Sequence, residues 1–249
     1  MKSQDEKYKN SQNMPRKTRA MFGMWANQKE YKRRVNQSMG MLTELIHKHK
    51  CIVLYSGGKD SLVLLHMALK IDPNIPVYHF SAGYDYESKQ IKQPKEVTDE
   101  IIKIAFELGV NPDQLFVRGG RDPASNRFFG LLFEIMKQRN INIEILGIRA
   151  EESITRRERV SKQLIQREGQ RFVSFPLKYW TWRDIWAYIV TNDLPYFSLY
   201  DKYGPLQGYD KTRWSMLFSK FALDKGGSYY LDGVLYPELR NERPEDWDR

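Results

Sequence analysis

The chain has 249 residues, 41% hydrophobic and 29% charged, with a formal net charge of +9. That balance fits one large globular domain with an appended piece and excludes a disordered chain. No apolar run reaches the length of a membrane span and no hydrophobic leader opens the chain, so a cytoplasmic protein is expected, with no membrane partner.

Residues 1–50 hold twelve Lys/Arg and four Asp/Glu, a local charge of +8. Positive charge of this density favours an anionic partner, nucleic acid above all, although a solubilising terminus is the other reading. Residues 1–22 are polar and are expected to be a flexible basic arm. From Trp25 to about Lys50, Val35, Met39, Leu42, Leu45 and Ile46 recur at intervals of three and four, so 23–50 reads as a basic N-terminal helix.

The texture then changes. Cys51–Tyr55 is a continuous apolar run, as expected of a buried parallel strand. A helical pattern follows over 62–69, a strand over 77–80, a helix over 95–108 and a strand over 115–117. A helix over 128–137, a strand over 143–146 and a fifth strand over 172–175 complete the alternation. Strands alternating with helices predict an α/β fold: a doubly wound, mostly parallel five-stranded sheet with helices on both faces. The nucleotide-binding domain is expected over 51–204 and an irregular C-terminal extension over 205–249. Thr181 and Asp184 predict a short capping box for a helix over 181–190, with Trp182 and Trp186 in the core.

Ligands of such sheets bind beyond the carboxyl ends of the strands. There the chain reads Ser56-Gly57-Gly58-Lys59-Asp60-Ser61, between a strand and a helix. Two glycines let the backbone approach an anion, and the helix N-terminus with successive N–H groups makes a concave positive site. Ser56 and Ser61 can donate hydroxyl hydrogens, Lys59 adds charge, and Asp60 fits as a loop-orienting group or a Mg²⁺ ligand bridging phosphates. The spacing is not that of a Walker A loop.

Ser56–Ser61 resembles the SGGxDS signature of the PP-loop ATP pyrophosphatases, in the adenine nucleotide α-hydrolase-like superfamily. The following Leu62-Val63-Leu64-Leu65-His66 resembles the phosphoadenosine phosphosulfate (PAPS) reductase-like branch, which includes a sulfurylase subunit and FAD synthetases. Gly147-Ile148-Arg149-Ala150-Glu151-Glu152-Ser153 with Arg156 is similar to that branch's G-x-R-x-x-E-S-x-x-R motif. Pro176 to Trp186, then Leu194-Pro195-Tyr196 and Leu199-Tyr200-Asp201, resemble its later elements.

The resemblance implies ATP cleavage between the α- and β-phosphates, with Mg²⁺, adenylation of an acceptor and release of pyrophosphate. It implies Ser56, Gly57, Gly58, Lys59, Asp60 and Ser61 as phosphate binders. Phe80 and Gly147 join them around the nucleotide, and Lys59, Asp60, Arg149 and Arg156 are the catalytic candidates. The chain departs from the branch in two places. Phe80-Ser81-Ala82-Gly83-Tyr84, with Asp85 further on, replaces a V-D-T-G-like element. The single cysteine, Cys51, excludes a cysteine-ligated iron–sulfur cluster and leaves no C-terminal thiol for reductase chemistry.

Three functions are therefore expected in order. The first is adenylation in nucleic-acid modification, such as sulfur incorporation (phosphorothioation or tRNA thiolation). The second is sulfate-assimilation or FAD-synthetase-like adenylyl transfer, and the third a nucleotide-binding regulatory subunit. A sulfur-donor protein and a second copy of the chain, as a homodimer, are the remaining partner expectations.

Overall fold

Cys51–Leu54 forms β1 at the centre of a sheet, and the alternation of its side chains decides which helices cover which face. The computed structural model describes residues 10, 13–81, 95–119, 125–160, 163–210 and 212. Ala82, Gly83, Tyr84 and Asp85 lie outside these residues, as do residues 1–9, 11 and 12 of the arm and most of the 205–249 extension.

Strands β1, β2 (Val77–Ser81), β3 (Leu115–Gly119) and β4 (Ile143–Leu146) are joined by α3 (Lys59–Leu69), α4 (Lys95–Glu107) and α5 (Ser125–Gln138). A short hairpin of β5 (Gln166–Glu168) and β6 (Arg171–Ser174) completes the order β3-β2-β1-β4-β6-β5. All pairings are parallel except β5 with β6. Among the described residues the sheet therefore has six strands where five were expected. The additional one, Gln-Arg-Glu, is polar and three residues long, so no periodicity announces it.

Cys51, Val53 and Tyr55 face one core, shared with α3 and α4. Ile52 faces the other, with Leu132, Ile135 and Met136 of α5, and Leu54 packs against it. This period of two is what a pleated strand imposes. The chain runs β1, β2, β3 outward and then returns to lay β4 beside β1. The reversal opens a crevice beyond the carboxyl ends of β1 and β4.

Among the described residues two α-helices precede the sheet, α1 (Arg16–Trp25) and α2 (Lys29–Lys48). The basic arm expected to be flexible to residue 22 is thus helical from Arg16, and the expected single helix over 23–50 is broken at 26–28. Phe22 is fully buried and stacks on Trp186 at 6.1 Å between ring centroids. The sequence concealed this because α1 is short and polar overall, and its one apolar face becomes favourable only against α7 (Trp182–Thr191). The α2 stripe is as read, with Leu42 and Leu45 fully buried. A small ion-pair network ties both helices to α7. Asp184, itself fully buried, accepts the Trp25 indole N–H at 2.9 Å and an Arg34 N–H at 3.0 Å. It also completes the capping box with Thr181.

Between β4 and β5 lies the single-turn helix α6 (Ile154–Arg159), and α8 (Leu199–Gln207) crosses the domain boundary expected at 204. No helix among the described residues is long and apolar enough to cross a membrane.

Candidate functional site

The loop between β1 and α3 sits at the mouth of the crevice. Gly57 adopts φ +81, and a Cβ there would lie 2.5 Å from Ile101 of α4, so the position needs both the left-handed backbone and the missing side chain. Gly147, just past β4, packs its Cα against the loop. A Cβ on it would lie 3.0 Å from the backbone of Asp60 and Ser61.

The two serines knit the loop. Ser61 Oγ donates to the Gly58 carbonyl at 2.9 Å and accepts the Ser56 N–H at 3.1 Å, and the two hydroxyls are 3.0 Å apart. Helix α3 begins at Lys59 with Gly58 as N-cap and no side-chain cap. A helix N-terminus whose N-cap is glycine, behind a Gly-Gly turn, is a fitting cradle for a phosphate.

Asp60 and Arg149 meet under this cradle. Arg149 follows β4, is 1% exposed, and donates through Nε to Asp60 Oδ1 and through Nη1 to Glu151 Oε2 at 2.6 Å. Its backbone N–H is taken by Glu152 at 3.0 Å. Burial alone would raise the Asp60 carboxyl, but Arg149 and then Lys59 beside it reverse the shift and hold it at about 2. Burial likewise opposes the Arg149 charge, and Asp60, Glu152 and Glu151 more than offset it. Arg156 of α6 pairs with Glu152 and adds to the depression of Asp60.

Lys59 is turned inward. Its ammonium is 1% exposed, 3.2 Å from the Thr212 carbonyl and 3.4 Å from Asp60 Oδ2, and lies over the Tyr200 ring. Its backbone N–H donates to the Tyr200 hydroxyl at 3.1 Å. The expected Lys59 charge thus reaches the loop's surroundings through Asp60. Phe80 lies one strand over, packed toward the α5 face. No local pattern marks Tyr200 and Thr212 as neighbours of the loop, although Leu199-Tyr200-Asp201 is one of the segments that carry the family resemblance.

The third element frames the second. The Lys178 carbonyl accepts the Ala150 N–H at 2.9 Å, and Glu151 Oε2 accepts the Trp182 N–H at 2.6 Å. Among the described residues no cluster of three His, Cys, Asp or Glu side chains could hold a metal unaided. Asp60 is ionised and 14% exposed, so it fits as one carboxylate ligand of an ion held otherwise by phosphate oxygens.

The phosphoadenosine phosphosulfate reductase domain model matches residues 50–212. The chain is 28% identical over 158 residues to a phosphoadenosine 5'-phosphosulfate reductase of Synechococcus sp., covering 59% of this chain and 67% of that one. It is 29% identical over 195 residues to an adenosine 5'-phosphosulfate reductase of Bacillus thuringiensis, covering 70% and 78%. In fold it is similar to Candida glabrata FMN adenylyltransferase solved with FAD and inorganic pyrophosphate. The TM-score is 0.55 at 14% identity, over 74% of this chain and 66% of that one. The chain thus spans just under two thirds of the adenylyltransferase's length.

Proposed function

Because the chain belongs to the phosphoadenosine phosphosulfate reductase domain family, we propose that it binds ATP and Mg²⁺ at Ser56–Ser61 and adenylates an acceptor with release of pyrophosphate. The acceptor is proposed to belong to nucleic-acid modification, such as sulfur incorporation into DNA or tRNA, in the cytoplasm. The observation that carries this reading is the Asp60–Arg149 pair beneath a helix N-terminus whose N-cap residue, Gly58, has no side chain to cap it.

Helix α3 and the glycine turn bind phosphate oxygens through backbone N–H groups. Asp60, kept ionised by Arg149 and Lys59, supplies the carboxylate toward Mg²⁺, which would neutralise phosphate charge in the site. Arg149, buried beneath the loop, acts through Asp60, and Arg156, paired with Glu152, adds a second cation to the site; positioning with charge stabilisation is most of what such a transfer needs. Cys51 stands at the opposite end of β1 from the loop, and burial pushes its thiol up to about 12. A thiol so placed favours activation over reductase chemistry in this chain.

The test uses α-labelled ATP and Mg²⁺ with single-stranded DNA, tRNA, sulfate or FMN as acceptor. Pyrophosphate and an adenylylated product or AMP are expected with a nucleic acid. Sulfate or FMN as the sole productive acceptor selects small-molecule adenylyl transfer, and ADP with phosphate overturns the cleavage site.

A further inference from the structure

Above the buried carboxylate of Asp184, three elements meet in one corner: the end of α1, the first turn of α2 and the N-terminus of α7. Trp25 and Arg34 both reach Asp184, which fixes their backbones against α7. On the outer side, the Arg183 guanidinium is exposed and lies 5.2 Å from the Trp25 ring centroid and 5.0 Å from that of Trp182. Lys29, Lys32 and Arg33 are exposed on the first turn of α2, where the acid is Glu30, paired with Arg33 at 2.8 Å.

This corner is wired to the loop. Glu151 Oε2 accepts both the Trp182 backbone N–H and Arg149 Nη1, each at 2.6 Å, and Arg149 holds Asp60. The main chain at Trp182, at the base of this corner, therefore shares one carboxylate with the Arg149 side chain.

We propose that this corner docks a single-stranded nucleic acid, with its phosphates on Lys29, Lys32 and Arg33 and an unpaired base against the Trp25–Arg183–Trp182 group. The proposal rests on the nucleic-acid reading above and names where that acceptor enters. Positive charge by itself fits any polyanion. Two indoles flanking an exposed guanidinium select a ligand with flat π faces, and a duplex keeps those faces stacked inside.

The experiment measures anisotropy of a short labelled single-stranded oligonucleotide with the full chain across a salt series. Arg183→Ala is expected to weaken binding about fivefold or more while ATP affinity stays at the wild-type value. The pair Lys29→Ala and Lys32→Ala is expected to lower the slope of log affinity against log salt by about 1.4, roughly 0.7 per lost contact. Wild-type affinity and slope in both variants overturn the proposal. So does equal competition by duplex DNA or by polyglutamate. Pyrophosphate release without oligonucleotide binding removes the docking corner and leaves adenylation standing; oligonucleotide binding sensitive to Arg183 with no pyrophosphate from any acceptor does the reverse.

Discussion

The Arg149 guanidinium holds the Asp60 carboxylate across 89 positions of sequence and joins the ends of two adjacent strands, β1 and β4. Asp60 has its folded pKa below the ordinary 3.8, so its contribution to stability is complete above that value and is lost as pH falls through about 2. Urea midpoints measured between pH 5 and pH 2 should fall for the wild type. Asp60→Asn should show a flatter profile and lie about 3–5 kcal/mol lower at pH 7, because it leaves Arg149 buried beside a neutral partner. A steeper profile in the variant would contradict the pairing.

Gly57→Ala should lower stability by about 1–3 kcal/mol, through left-handed backbone strain and the Ile101 contact. The same change should displace the turn and weaken ATP binding by at least about tenfold, which isothermal titration would report. Gly23→Ala, where α1 leaves open space for a Cβ, is the control: it should leave ATP binding unchanged and raise stability by up to about 1 kcal/mol.

Much of this was legible beforehand. The β/α alternation, the loop at a strand-to-helix junction and the capping box at Thr181 all rest on local patterns, and all are present. The rest depended on distant partners. Arg16–Phe22 reads as part of a polar arm until α7 is beside it, and β5 is too short to show a period. The inward turn of Lys59 depends on Tyr200 and Thr212, 141 and 153 positions away, which no local pattern encodes.

His66, inside α3, pairs with the Tyr188 hydroxyl at 3.1 Å, and burial lowers its pKa from 6.5 to about 4. A depressed histidine favours the fold above its unfolded pKa and costs stability as pH falls from about 6.5 to about 4. Thermal unfolding over that window should show a loss in the wild type that His66→Gln reduces. Identical pH profiles for the two proteins would remove His66 as the cause.

Asp184→Ala should cost about 3–5 kcal/mol, since Arg34 and the Trp25 indole lose a buried acceptor together. The loss should be accompanied by a red shift of tryptophan emission as α1 loosens from α7. Phe22→Ala should give a similar loss, about 3–5 kcal/mol, without removing any charge. Unchanged emission in Asp184→Ala would mean that the helices are held by apolar packing alone.

The same anchor sets a timetable for synthesis. Trp25 leaves the ribosome 159 positions before the aspartate it binds. At about 5–20 residues per second, the first helix pair spends roughly 8–30 seconds without its counterpart. Throughout that interval Phe22 has no ring to stack on, so the nascent chain presents an unburied aromatic beside dense positive charge. A chain stalled before α7 is translated keeps that surface open, so the earliest-made helices wait on a partner made 159 positions later.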